Sequence, residues 1–518
     1  MGIENQFPLL YTKIGEKFGF MQEKLVLLHK QIHEMEGWNM SYNATETPAG
    51  RRIAALLDEG SFAEIGGEVT ARSTDFNLQE KKTPSDGVIT GYGLIDGNLV
   101  YVYSQDPDVL NGSMGEMHAK KIGNIYDMAI KMGAPVIGLI DCAGFRLQES
   151  TDALDAFGNL YRKQTNASGV VPQITAIFGM CGGGLAVVPG LADFTFMEKN
   201  TGRMFINSTN TLDGNSVSDL DTANAAYQSS VSGLIDGIGT ENEILEQIRS
   251  LVCMIPSNYE DGVLAEPCTD DLNRICGDIE NGAEDGAYVL SRIADGQIFF
   301  ELKSNYAKEM AVGFIRLNGT TVGAVANRSR LYGPGGAAEE SYEPVLTVNG
   351  CRKAADFVKF CDAFSIPVLS VTRAEGYAAD VESEKNMAKA AAELTYAFAE
   401  ATVPKVNLIT GKAYGSAYLT MNSKSIGADL VYAWPSSEIG MMDAGMAARI
   451  MYADADMSVI REKEKEYREL QSSPFSAAGR GYVDAIIQPS DTRKYVIGAF
   501  EMLFTKRERR PDKKHGTV

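Results

Sequence analysis

The chain is poor in the residues that most enzymes use for side-chain chemistry. It has four histidines in 518 residues, His29, His33, His118 and His515. Three lie near the ends, so a histidine triad or a histidine-rich zinc site has little to build on. Its seven cysteines are scattered without a CxxC pair, which excludes a zinc ribbon and a disulfide framework and reads as reduced thiols. Positive charge is in deficit: the net charge of −20 argues against nucleic acid or an anionic membrane surface as partner. No apolar run approaches the 18 or so residues of a spanning helix. The start, Met1-Gly2-Ile3-Glu4-Asn5-Gln6, lacks the basic and apolar regions of a signal peptide and the Ser or Thr of a myristoylation signal. A Gly-x-x-x-x-Gly-Lys-Ser/Thr phosphate loop is missing, so a P-loop ATP site is not expected in this chain.

What is abundant is glycine, 52 residues, set among apolar runs. The length favours two domains, and the glycines reveal how they are related. Pro135, Gly144, Pro172, Gly179 and Gly183 are answered by Pro367, Gly376, Pro404, Gly411 and Gly415, each 232 positions on (415 − 183). Upstream, Gly91 and Gly97 are answered by Gly313 and Gly319 at 222 (319 − 97). The change of offset places about ten extra residues in the second copy, and the stretch Arg330–Glu343 with Gly333-Pro334-Gly335-Gly336 can hold them.

The local pattern supports an α/β fold used twice. A surface helix is expected over 12–35 and another over Arg52–Phe62, stopped by Gly60. Asp96-Gly97 between Val88–Ile95 and Leu99–Tyr103, and Asn318-Gly319 between Val312–Leu317 and Val322–Val325, predict two-residue hairpins. Helices at Lys120–Lys131 and Ala153–Ala167 alternate with strands at Pro135–Ile140 and Gln173–Phe178. Arg352–Phe364, Asn386–Ala401, Val368–Val371 and Lys405–Ile409 match them in the second half. Such alternation means crossover connections. The polar stretch 256–287 is the expected linker, dividing the chain into domains 1–262 and 263–518.

Each copy has a glycine loop after a strand, Gly179-Met180-Cys181-Gly182-Gly183-Gly184 and Gly411-Lys412-Ala413-Tyr414-Gly415-Ser416. Glycines let backbone N–H groups approach a ligand closely, and such donors suit a developing oxyanion. They also allow tight strand–helix packing, and one loop alone would favour that simpler role. Glu116 and His118, beside a Gly-Ser turn, read first as a satisfied helix start. Ala129-Ile130-Lys131-Met132 sits at a helix end before a buried strand, unlike a biotinylation site. The basic tail Lys506–Lys514 reads as a solvated end or a contact for a partner or anionic ligand.

Several stretches carry a resemblance: Gly91-Tyr92-Gly93-Leu94-Ile95-Asp96-Gly97, Gly112-Ser113-Met114-Gly115-Glu116-Met117-His118-Ala119, Lys131–Leu139, Ala167–Ile174, Phe360-Cys361-Asp362-Ala363-Phe364, Glu400–Lys405, Lys412-Ala413-Tyr414-Gly415 and Gly427-Ala428-Asp429. From about Arg51 to Tyr452 the chain resembles the carboxyltransferase subunits of biotin-dependent acyl-CoA carboxylases and decarboxylases, such as propionyl-CoA carboxylase beta and methylmalonyl-CoA decarboxylase alpha. The resemblance implies two tandem crotonase-like domains and a homohexamer, a trimer of dimers, with active sites between the N-domain of one subunit and the C-domain of its partner. It implies that the N–H groups of Gly183 and Gly184 hold the thioester oxygen of an acyl-CoA, and those of Ser416 and Ala417 the ureido oxygen of biotin. Ala143, Gly144, Arg146 and Gly182 are then expected on the CoA side, and Tyr414, Gly415 and Gly376 on the biotin side, with no metal in this subunit. Implied partners are a biotin carrier protein and a biotin carboxylase or membrane decarboxylase subunit. The implied location is cytoplasmic, with membrane attachment only through partners.

The chain departs from the family's usual residues. Ala143-Gly144-Phe145-Arg146 stands where Gly-Gly-Ala-Arg is usual, and Arg373-Ala374-Glu375-Gly376-Tyr377 where Asp-Val-Pro-Gly-Phe is usual. Two other readings stay open on the residues: a structural or regulatory subunit of such a complex, and a biotin-independent acyl-CoA lyase or hydratase.

Overall fold

In a computed structural model, the described residues are 46–262, 265–333, 338–513 and 515–518. The helix expected over 12–35 and the Pro334-Gly335-Gly336 part of the long loop lie outside them. The Asp96-Gly97 and Asn318-Gly319 turns form as expected. All four residues have positive φ, at 48°, 82°, 52° and 76°, the geometry that lets a two-residue turn follow the twist of its strands. They join Val88–Ile95 to Asn98–Gln105 and Met310–Leu317 to Thr320–Asn327 in antiparallel ladders.

Each hairpin opens an eight-stranded sheet. In the first, the order runs Ala63–Glu64, Val88–Ile95, Asn98–Gln105, Val136–Cys142, Gln173–Gly182, Phe194–Glu198, Gly237–Gly239, with Arg203–Phe205 also beside Gln173–Gly182. In the second it runs Phe299–Leu302, Met310–Leu317, Thr320–Asn327, Val368–Ala374, Lys405–Tyr414, Leu430–Ala433, Ala485–Ile486, with Glu438–Gly440 beside Lys405–Tyr414. The short edge strands Ala63–Glu64 and Phe299–Leu302 pair antiparallel with the hairpins, and on the other side of the hairpins the pairing is parallel, carried by crossover helices. These are two tandem crotonase-like α/β domains related by duplication.

Element boundaries differ from expectation in instructive places. Both glycine-loop strands run on to Gly182 and Tyr414, because Arg203–Phe205 and Glu438–Gly440, far along the chain, pair with their ends. The Arg52 helix instead spans Pro48–Leu56: Thr47 caps it by accepting from the Gly50 N–H, and Asp58 leaves it to bond Leu94. In the stretch expected to hold the extra residues, Arg330–Tyr332 pairs antiparallel with Ala338–Ser341. The register confirms the place: Ser113–Met114 pairs with Gly144–Phe145, and Val345–Leu346 pairs with Gly376–Tyr377, already at the longer offset.

The two domains share a wall. Phe194 of the first sheet packs against Phe360 and Phe314 of the second half, with ring centroids 4.6 Å and 6.2 Å away, within one continuous apolar cluster. Chain contacts change sides near the expected boundary: Asn258 and Tyr259 bond Gly133 and Val170, whereas Ala265 and Glu266 pair with Thr320 and Gly319. The tail folds back, with Lys506 bonded to the Val403 carbonyl and to Asp429 at 2.8 Å.

Two buried lysines mark the duplication as clearly as the glycines. Lys121 donates to the Ser85 and Val88 carbonyls and the Ser85 hydroxyl, while Lys353 donates to the carbonyls of Lys303, Tyr306 and Ala307. Burial pulls both amines down, Lys121 to about 8 and Lys353 to about 7.

Candidate active site

The two glycine loops adopt one backbone conformation. Gly183 and Gly415 follow directly on their strands and have φ of 60° and 59°, left-handed values that a side chain disfavours. In each loop the chain then enters a short helical segment, Gly183–Ala186 or Gly415–Thr420. The leading N–H groups of a helical segment have no partner within it, so Gly183, Gly184, Ser416 and Ala417 occupy donor positions. Gly183 and Gly184 are half-buried, Ser416 is exposed and Ala417 is buried.

The first site is lined from two adjacent strand ends. Cys142 and Cys181 stand in register, which brings exposed Ala143 and buried Gly144 beside Gly182 and Gly183. Gly144 has φ of 109°, and a Cβ there would sit 3.3 Å from the Gly182 carbonyl. A Cβ on Gly182 would sit 2.8 Å from the Phe205 ring, and one on Gly184 would sit 2.7 Å from Phe145 and 3.0 Å from the Tyr161 oxygen. Gly144 is therefore favoured by its conformation, and Gly182 and Gly184 are required by contact.

Arg146 is placed differently from a residue that meets ligand through its charge. It is fully buried, with one guanidinium nitrogen 2.7 Å from Asp86 and 2.8 Å from Glu149, and another donating to the Ser113 carbonyl at 2.9 Å. Its side chain braces the Gly144–Phe145 wall from behind. His118 is likewise interior: Nδ1 lies 2.9 Å from the Asp86 carbonyl and Nε2 3.1 Å from Gln105. Burial, with Arg146 and Lys121 nearby, holds it well below the usual imidazole range, so it stays neutral.

At the second site Tyr414 is buried, and its hydroxyl donates to Glu438 at 2.6 Å; burial and that carboxylate push the phenol up. Gly376 is half-buried, and a Cβ there would meet nothing within 4 Å, unlike its counterpart Gly144. The strand ends carry opposite charge. Asp141 and Arg373 are matched positions, and their N–H groups donate alike to Gln105 and Asn327. The Asp141 carboxylate turns to Gly179, Met180 and Arg52, whereas the Arg373 side chain lies along Gly411.

Sequence reasoning passed over Tyr161, whose hydroxyl reaches the Gly184 carbonyl from the helix Ser150–Ala167, and Phe157, which packs against Phe145 from the same helix. Their spacing of four on one helix face is the signal that marks them.

The Carboxyl transferase domain family model matches residues 42–518. The chain is 41% identical over 489 residues to the propionyl-CoA carboxylase carboxyltransferase subunit of Haloferax mediterranei, covering 91% of this chain and 93% of that one. It is 38% identical over 517 residues to methylmalonyl-CoA decarboxylase subunit alpha of Veillonella parvula, covering 96% and 99%. The solved transcarboxylase 12S hexamer with hydrolysed methylmalonyl-CoA bound superimposes with a TM-score of 0.85 at 34% identity, covering 96% of this chain and 98% of that one. The chain belongs to the carboxyl transferase domain family.

Proposed function

We propose that this chain is the carboxyltransferase subunit of a biotin-dependent acyl-CoA carboxylase or decarboxylase, acting on the α-carbon of a short acyl-CoA. The observation that carries this reading is the pair of glycine loops bent alike at Gly183 and Gly415, in a chain that matches the family almost throughout. On this reading the N–H groups of Gly183 and Gly184 hold the thioester oxygen while negative charge builds on it as the enolate forms. Removing one such donor typically costs on the order of 10²–10³ in rate. Ala143, Gly144 and Gly182 shape the acyl-CoA side.

The second loop suits a neutral ureido group. Gly415 leaves the approach open, since a Cβ there would meet only the Met441 carbonyl, at 3.2 Å, and Ser416 presents its N–H at an exposed position. Biotin on a separate carrier, when bound, would supply the carboxyl group in its carboxylated form or receive it in its free form. Ser416, Ala417, Gly415, Tyr414 and Gly376 would hold it, with the N–H pair of Ser416 and Ala417 facing its ureido oxygen. The chain contributes placement and fixed donors, and His118, in the interior of the same domain, is neutral and already bonded.

Large apolar side chains are exposed near both loops: Leu147 at 83% and Ile206 at 58% near the first, Met441 at 73% and Met446 at 57% near the second. A second copy placing its second loop over the first loop of its partner would cover them, which supports a homohexamer built of such dimers. The domain division near residue 262, the carrier and carboxylase or membrane decarboxylase partners, and a cytoplasmic location belong to the same proposal.

The test is carboxyl transfer from malonyl- or methylmalonyl-CoA to free biotin by purified protein. Turnover of a short acyl-CoA is expected. A folded hexamer inert towards every short acyl-CoA would overturn the reading in favour of a structural subunit.

A further inference from the structure

The first glycine loop is gripped by aromatic rings, and the second is not. Phe145 lies against Phe157 with centroids 4.1 Å apart, and Phe157 meets Tyr161 edge-on at 6.2 Å. Both ends of this stack reach Gly184. The Phe145 ring occupies the space where a side chain on Gly184 would be, 2.7 Å from the Cβ position. The Tyr161 hydroxyl donates to the Gly184 carbonyl, which also takes the N–H of Val187. Both lone pairs of that oxygen are thus engaged, one from inside the helical turn and one from a separate helix.

Three successive glycines, 182–184, have more conformational freedom to lose than any other tripeptide. Donors that serve an oxyanion act through pre-organisation, so a free glycine run is a poor oxyanion site unless something outside it fixes its geometry. The matched positions in the second copy do not repeat the arrangement. Phe145, Phe157 and Tyr161 correspond to Tyr377, Lys389 and Glu393 at the 232 offset (393 − 161). Glu393 pairs with Arg352 at 3.3 Å, and the Tyr377 hydroxyl bonds Thr420 at 2.9 Å, at the far end of its helical segment. Ser416 replaces the third glycine.

We propose that Tyr161, with Phe145 and Phe157 behind it, is a positioning residue for the acyl-CoA half of the site, fixing the Gly183 and Gly184 N–H pair through the Gly184 carbonyl. This rests on the carboxyltransferase reading above. The hydroxyl touches no substrate; its effect passes through the loop, so it appears in turnover more than in capture of the CoA thioester.

The experiment compares wild type with Tyr161→Phe in transfer from methylmalonyl-CoA to free biotin, measuring kcat and KM separately, with thermal unfolding alongside. Tyr161→Phe keeps the ring and removes one hydrogen bond. Loss of about tenfold or more in kcat is expected, with KM and Tm close to wild type. A kcat within twofold of wild type would overturn the proposal, as would a loss confined to KM or one that follows Tm. Phe157→Leu provides an independent arm, since it loosens the stack with the hydroxyl still present; it should lower kcat less than Tyr161→Phe, and an unchanged kcat would count against the role of the stack. Wild type without activity would instead sink the carboxyltransferase reading, so the two failures are distinct.

Discussion

The Gly183 loop and the Gly415 loop share a strand end, a left-handed bend and a short helical turn, yet their surroundings secure them in opposite ways. The first is closed in: Phe145, Phe205 and Tyr161 leave no room for a Cβ on Gly182 or Gly184. The second is open: Ser416 carries an exposed side chain, Gly376 has free space beside it, and the anchoring bond is at Thr420. Duplication therefore preserved the backbone that presents donors, while the packing that holds it diverged. A site for a large, firmly seated thioester and one that receives a group arriving on a mobile carrier would differ in this sense.

The comparison can be broken most directly at the shared bend. Gly183→Pro and Gly415→Pro each replace φ near +60° by the fixed value near −65° and delete an N–H. Both should lower transfer by at least about 10²-fold, measured as CoA thioester decarboxylation with free biotin. If either variant keeps full activity, the two loops are not both in the site.

A smaller, one-sided effect is expected at the third loop position. Gly184→Ala drives a methyl into Phe145 and should cost about 1–3 kcal/mol by overpacking, read by chemical denaturation, together with a kcat loss. The matched change, Ser416→Ala, keeps the N–H and alters an exposed side chain. It should stay within about 0.5 kcal/mol in stability and near wild-type turnover. Equal sensitivity of the two positions would erase the contrast between closed and open loops.

Between the halves, Asp193 sharpens the comparison from another side. Desolvation, with Asp236 nearby, raises its carboxyl to about 7 against the bond it accepts from the Gln173 N–H. A folded-state value above the unfolded one means the folded form binds the proton more tightly. This carboxyl therefore favours folding below about pH 4, and that contribution is lost as pH rises to about 7. Asp193→Asn should flatten this part of the Tm-against-pH curve and raise Tm at pH 8. A lower Tm at pH 8 would mean the charged carboxylate is needed there.

Much of this was legible in the residues because glycine and proline punctuate both copies at fixed spacing. Asp96-Gly97 and Asn318-Gly319 force their turns locally, so both hairpins could be located. The extent of the glycine-loop strands could not, because their last residues are held by Arg203–Phe205 and Glu438–Gly440, which carry no local strand signal. Arg146 shows a second limit. A motif places it beside the loop, but only the fold reveals Asp86 and Glu149 waiting to neutralise it in the interior. Tyr161 shows a third: its role depends on the carbonyl of a residue 23 positions away.

The wall of Phe194, Phe314 and Phe360 has a consequence for the chain. Each repeat lends rings to a surface that the other needs, so neither copy can stand alone without first acquiring a new polar face. A chain severed in the 263–264 region should yield two halves that come down as insoluble protein when made alone. Made together, they should recover a soluble pair.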